Sequence, residues 1–168
     1  MAFTTIPGSG AAATTIVGTS GVDFGSITSI DNYFVGAQQD ADTIGVTANL
    51  SNGTIKGGQG TDTISFTPGA NLTNSFLNAN SNNDSIGGAA AATAASFITS
   101  TAMGGQGDDT ITLGTVSGSR VNGNKDDDTY TAGATVVSST LFGGQGDDTI
   151  NATATATNSL ISGDLAND

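Results

Sequence analysis

Apolar residues in this chain recur in columns, not in continuous runs. Take as origin the Asp that closes each of a series of polar turns. Position +2 then carries Ile44, Ile64, Ile86, Ile111, Tyr130 and Ile150, with Gly25 as the exception. Position +4 carries Ile27, Val46, Phe66, Gly88, Leu113, Ala132 and Ala152. Position −7 carries Ile16, Val35, Ile55, Leu77, Ala102, Val121, Leu141 and Ile161. Side chains two apart on a strand share a face, so +2 and +4 point inward while Thr63, Thr110 and Thr149 alternate outward. The pattern predicts two short strands per repeat, each stacking its inward side chains on those of the next.

The origins are Asp23, Asp42, Asp62, Asp84, Asp109, Asp128, Asp148 and Asp168, with successive gaps of 19, 20, 22, 25, 19, 20 and 20 residues. Gly-Gly-Gln-Gly-Asp-Asp-Thr-Ile stands verbatim at 104–111 and 143–150, and at 57–64 with Thr61 as its one change. A period of this length is the mark of a solenoid, in which neighbouring repeats share one core. The expected fold class is all-β, a parallel β-solenoid of about eight coils of roughly 20 residues, with its Gly-Asp turns along one edge. Residues 1–17 are expected to form an N-terminal cap or assembly segment. Residues 18–168 form the solenoid, continuing or stacking at its C-terminal end. The long gap before Asp109 holds an Ala-rich insertion, 87–96, expected as a bulge in the second turn, with a helix as the alternative because Ala favours one.

Composition narrows the chemistry. There is no Cys, His, Trp or Glu, so all 15 acidic residues are Asp, set against Lys56, Arg120 and Lys125 for a net charge of −12. So few cations argue against nucleic acid and against an anionic membrane surface. No stretch reaches the length of a membrane span. Without His, Cys or Glu no Ser-His or Cys-His nucleophile can be assembled, and the chain is not expected to be an enzyme. The start also lacks the basic and apolar regions of a cleaved signal peptide.

The turns hold 14 of the 15 Asp residues, counting Asp40, Asp108, Asp126, Asp127, Asp147 and Asp164 beside the eight origins. Stacking would line these carboxylates up about 5 Å apart, where two unit charges repel by roughly 3 kcal/mol at an effective dielectric near 20. Cations between the turns would relieve that repulsion. Ca2+ suits such a site because it accepts many oxygen ligands in flexible geometry. Glycines would let the turns adopt positive φ and aim carbonyls at the ion. The competing reading is an ordinary tight turn, which Gly and Asp favour without metal.

Gly-Gly-Gln-Gly-Asp-Asp-Thr-Ile resembles the nonapeptide of the RTX calcium-binding β-roll proteins, over residues 18 to 168. The resemblance implies several Ca2+ ions stacked between successive turns, held by turn carbonyls and the closing Asp. The implied metal residues are Asp23, Asp42, Gly57, Gly60, Asp62, Asp84, Gly104, Gly107, Asp108, Asp109, Gly123, Asp126, Asp127, Asp128, Gly143, Gly146, Asp147, Asp148, Gly163 and Asp168. The turns closing at Asp42 and Asp84 lack the glycines and are the weakest candidates. Gln59, Gln106 and Gln145 are expected to face solvent. Unlike the β-roll, which has two such turns per coil, this chain has one. Its opposite turns carry Ser119, Ser139 and Ser159.

The chain also resembles oscillin-like RTX surface-fibril proteins of cyanobacteria. That implies an extracellular or cell-surface structural protein forming a filament, fibril or S-layer-like array. Export would follow type I secretion, without a cleaved N-terminal signal. The alternative is an RTX segment of a larger secreted adhesin or motility protein. The partners implied are further copies of the chain, head-to-tail or in an array, and a cell-wall or surface polysaccharide. Calcium-dependent ice-binding solenoids are a third comparison, but they carry Thr and Asn where this chain has Gln106, Asp108, Gln145 and Asp147.

Overall fold

In a computed structural model, the chain is described at residues 4–6, 14–19, 21, 24–27, 30–88, 95–153 and 155–165. One coil shows the plan. Thr101–Gln106 lies on a first face, Thr110–Leu113 on a second and Val116–Ser117 on a third, before Arg120–Lys125 returns to the first. Each strand pairs in parallel with its equivalents one coil before and after. The first face holds eight parallel strands, from Thr14–Val17 to Leu160–Leu165, and Thr4–Ile6 adds an antiparallel ninth at its edge. The second and third faces hold seven strands each. The molecule is therefore a parallel β-solenoid of about seven coils, and among the described residues it has no helix. Nor is any described helix long and apolar enough to cross a membrane.

The apolar columns are the sheet registers. Ile44 pairs with Ile64, Ile64 with Ile86, Ile86 with Ile111, Ile111 with Tyr130, and Tyr130 with Ile150. The −7 column stacks in the same way from Ile16 to Ile161. Most of these side chains are buried in one continuous core. At the last described coil the core opens, and Ile161 is 38% exposed where Leu141 above it is fully buried.

The expectation of two strands per coil is corrected to three. Leu50, Leu72, Phe97, Val116 and Val136 form a third buried column on short strands, and Phe97 packs edge-on to Phe66 at 6.0 Å. Those strands are mostly two or three residues long, too short for an alternation to mark them. The Ala-rich insertion leaves the coil at the corner between the second and third faces, after Ser85–Gly87 and before Ser96–Ile98. Both the bulge and the helix expectations fall on residues 89–94, outside the described residues.

The corner from the third face back to the first is closed by a buried column of Ser75, Ser100, Ser119 and Ser139. Each Oγ in the run from Ser100 to Ser159 accepts the backbone N–H of the residue one coil earlier, at 3.0–3.2 Å. The Ser100, Ser119 and Ser139 hydroxyls donate back to carbonyls of the third-face strands. A hydroxyl that donates and accepts at once can be buried without loss. At the N-terminal end Tyr33 takes the place of a serine, lies across Gly53 and donates its hydroxyl to Ser75 Oγ.

Candidate metal edge

The corner between the first and second faces is where the sequence placed its metal ligands. The closing carboxylates do not project to solvent. Asp42, Asp62, Asp84, Asp109, Asp128 and Asp148 are all buried. From Asp62 to Asp148, each Oδ1 accepts the backbone N–H of the closing Asp one coil earlier, at 2.7–2.8 Å. The Asp column repeats the logic of the Ser column: a short side chain turns inward and supports the N–H that the corner withdraws from the sheet ladder.

A carboxylate has a second oxygen, and here it is stranded. Oδ2 of Asp62, Asp84, Asp109 and Asp128 is buried with no hydrogen-bond partner among the described residues. Each such atom needs a proton, a cation or water, because an unsatisfied buried charge is costly. Burial pushes the carboxyls up, Asp62 to about 6, Asp109 and Asp128 to about 7 and Asp84 to about 8. The N–H bond from the preceding coil pulls each back, and neighbouring aspartates push it further up.

The glycine at −5 explains how the oxygen is accommodated. A Cβ on Gly57, Gly104, Gly123 or Gly143 would overlap Oδ2 of the closing Asp of its own turn. On Gly57 it would also overlap the carbonyl oxygen of Ala79, and on Gly123 it would crowd that of Gly143, 2.6 Å away. So at these two turns the volume left by the missing side chain is flanked by a carboxylate oxygen and a carbonyl oxygen of the next coil. The first glycine of the motif supplies space, not an unusual backbone.

Positive φ belongs to the next positions. It occurs at −4 and −2, as in Gly58 (127°) and Gly60 (112°), Gly105 (135°) and Gly107 (106°), and Gly144 (128°) and Gly146 (144°). Asn80 and Asn82, and Asn124 and Asp126, adopt the same pattern without glycine. Asn and Asp tolerate this region better than other side chains. The turn closing at Asp84, lacking every glycine of the motif, thus shares the positive-φ backbone of the others, although Ala79 puts a methyl group where they have the −5 glycine.

The turns alternate along the edge. Those closing at Asp62, Asp109 and Asp148 are Gly turns, and those closing at Asp84 and Asp128 are Asn/Asp turns between them. The reason is contact with the preceding coil. A Cβ on Gly105 or Gly144 would overlap the carbonyl oxygen of Asn80 or Asn124 directly before it, and one on Gly60 or Gly146 that of Asp40 or Asp126. Real Cβ atoms exist at Asn80, Asn82, Asn124 and Asp126, so the two kinds of interval cannot be alike. In return, the Asn82 and Asp126 side chains accept the N–H of Gly60 and Gly107 in the coil before them.

Asp108, Asp127 and Asp147 form a second, exposed row outside the first. Asp108 Oδ1 accepts the N–H of Asp127, and Asp127 Oδ1 that of Asp147. This outer row passes its bonds forward along the solenoid while the buried row passes them backward. Gln59, Gln106 and Gln145 are exposed, as expected. Gly163 is half-buried in the last strand. Asp23 and Asp168 lie outside the described residues.

Among the described residues no group of three or more acidic side chains gathers at one point suited to a metal. A bound ion would draw on one carboxylate and on backbone carbonyls. That donor set is all oxygen, which fits a hard cation such as Ca2+ and not a thiophilic one. The sequence missed three features of the edge: the role of the second glycine (Gly58, Gly105, Gly144), the Asn equivalents, and the inward turn of the closing Asp. The positive-φ offsets were open to reading, since Gly and Asn share the −4 and −2 columns. No family model, curated protein or solved structure matches the chain.

Proposed function

We propose that this chain is an extracellular structural protein whose solenoid is completed by Ca2+ along the Asp edge, and that it forms part of a surface filament, fibril or array. The observation that supports this most is the run of buried Oδ2 atoms on Asp62, Asp84, Asp109 and Asp128, without a partner among the described residues. Three of them face a glycine-made space, and two of those spaces, at Gly57 and Gly123, are flanked by a carbonyl oxygen as well. In a calcium-poor cytoplasm these carboxylates, with the net charge of −12, oppose closure of the coils. Outside, an ion that supplies positive charge and coordination to Oδ2 makes its binding free energy into folding free energy. Asp62, Asp84, Asp109 and Asp128 would each offer one oxygen, with Gly57, Gly104 and Gly123 providing room. Such coupling suits a protein exported as a loose chain by type I secretion.

The assembly part of the reading draws on the stacking itself, in which the strands of each face pair in parallel with their equivalents one coil before and after. Such stacking can be carried on by further coils, whether of one longer polypeptide, as in a larger adhesin, or of a second copy. A repeated head-to-tail contact of the latter kind produces a filament. Circular dichroism in EGTA, followed by millimolar calcium, tests the calcium part. The β signal is expected to appear with calcium and to be absent or much weaker without it. An identical signal in both conditions would falsify calcium-dependent folding. Negative-stain microscopy and light scattering in calcium test assembly separately, and strictly monomeric particles at high concentration would remove the filament.

A further inference from the structure

The three cations of this acidic chain are not scattered. Lys56, Arg120 and Lys125 all lie on strands of the first face and all are exposed. The same face carries outward aromatic rings. Phe34 and Phe76 flank Thr54 in register, one coil before and one after it, and Arg120 stands over the Phe142 ring at 5.2 Å. The second face presents mostly Thr, Ser and Gly outward, with no charge from Thr43 to Asn151.

Toward the N-terminal end of the first face these groups border an open groove of about 510 Å³. Phe34 supplies its apolar floor. The ring rests over Gly36, where a Cβ would come within 3.0 Å of it, and the side chain is 36% exposed. Lys56 pairs in register with Gly36, the residue under the ring, and lines the same groove. Gln38, Gln39, Gln59 and Asn80 complete the polar rim. Among the described residues no ion pair or hydrogen bond engages the Lys56 ammonium or the three glutamine amides. One flat apolar platform, one free cation and several amides that both donate and accept make a distinct combination. It suits a ring with a hydrophobic face, equatorial hydroxyls and a negative charge.

We infer that this groove binds an acidic sugar unit of a polysaccharide, a uronate whose ring stacks on Phe34, whose carboxylate meets Lys56 and whose hydroxyls meet the amides. The site is separate from the Asp edge and needs only a folded solenoid, although its encounter with such a polymer rests on the surface location proposed above. A protein carboxylate, including that of a second copy, could satisfy Lys56 but would leave the Phe34 platform without a ring to stack on it.

The test uses the full chain in calcium, with circular dichroism confirming that each variant is folded. The probe is tetragalacturonate, measured by calorimetry against maltotetraose and tetraglutamate. The uronate is expected to bind at least about fivefold more tightly than either control, each of which lacks one half of the recognition. Phe34→Ala and Lys56→Gln each weaken uronate binding by about five- to tenfold, and Lys125→Gln, on the same face but outside the groove, changes it less than about twofold. Folded protein that does not bind the uronate overturns the inference. So does binding of tetraglutamate with equal strength and no response to Phe34→Ala, which would reduce the groove to a charge. Loss of self-association in Lys56→Gln without loss of sugar binding would assign the groove to a second copy instead. Failure to fold with calcium would show in the dichroism and would count against the calcium reading alone.

Discussion

The closing aspartate has two oxygens with two different fates, and the difference makes its charge state measurable. Oδ1 holds the N–H of the preceding coil, while Oδ2 of Asp62, Asp84, Asp109 and Asp128 is buried without a partner among the described residues. A proton on Oδ2 relieves the same strain that a cation does. Burial raises these carboxyls from the ordinary value of 3.8 to between about 6 and about 8, so the folded state binds protons that the unfolded state releases. Their contribution to stability is therefore full below about pH 4 and is lost as pH rises through the folded values. In EGTA the chain is expected to gain β structure on acidification from pH 8 to pH 5, and the calcium needed for folding at pH 8 is expected to exceed none at the acid end. Asp109→Asn separates the two roles. It keeps an acceptor for the N–H of Asp84 and puts a neutral group where Oδ2 lay. The variant should show more structure than the parent in EGTA and a smaller response to calcium. A parent whose calcium-free stability is flat or increasing from pH 5 to pH 8 would contradict this account of the edge.

At the scale of strands and corners, legibility followed distance from the marker residue. The +2, +4 and −7 columns were readable because no insertion separates them from their Asp. The third column was hidden because the variable segment lies between Phe66 and Leu72, and between Gly88 and Phe97, so forward offsets drift. Counted back from the next Asp the column is constant, at twelve residues: Leu50, Leu72, Phe97, Val116 and Val136. The buried serines stand nine residues before that Asp, where the sequence marks only the opposite turns, and hydroxyl residues are usually exposed. Their burial follows from the double role of Oγ, which no hydrophobicity pattern displays. Ser119→Ala tests it. Removing Oγ leaves the N–H of Ser100 buried without its acceptor, a loss of about 1–3 kcal/mol. Ser159→Ala, at a half-exposed position, should cost clearly less in chemical denaturation of the calcium-loaded protein. Equal costs would mean that the serine column is ornamental to stability.

For the whole molecule, the alternation of turns implies that the unit of stacking is two coils, not one. Gly105 and Gly107 lie so close to Asn80 and Asn82 of the preceding coil that neither could carry a side chain in place, and both have positive φ. An Asn/Asp turn set directly after another would therefore meet carbonyls where its own Cβ atoms must go. Deleting residues 85–109 creates this clash, because it joins Asp84 to Thr129's coil predecessor at Thr110 and stacks Asn124 and Asp126 on Asn80 and Asn82. Deleting residues 85–128 removes one coil more but places Gly144 and Gly146 on the same turn and keeps the alternation. In a nearest-neighbour solenoid the longer product would ordinarily be the more stable, since each coil adds an interface. Here the order should reverse. The 85–128 deletion is expected to fold in one cooperative step at lower calcium and to melt higher than the 85–109 deletion, as read by circular dichroism across a calcium titration. The clash also predicts where the 85–109 product fails: amides of the strands flanking the new junction should exchange hydrogen early, while those of 140–145 stay protected. If stability instead follows the number of coils retained, the alternation carries no energetic weight and the 20-residue coil is the true unit of assembly.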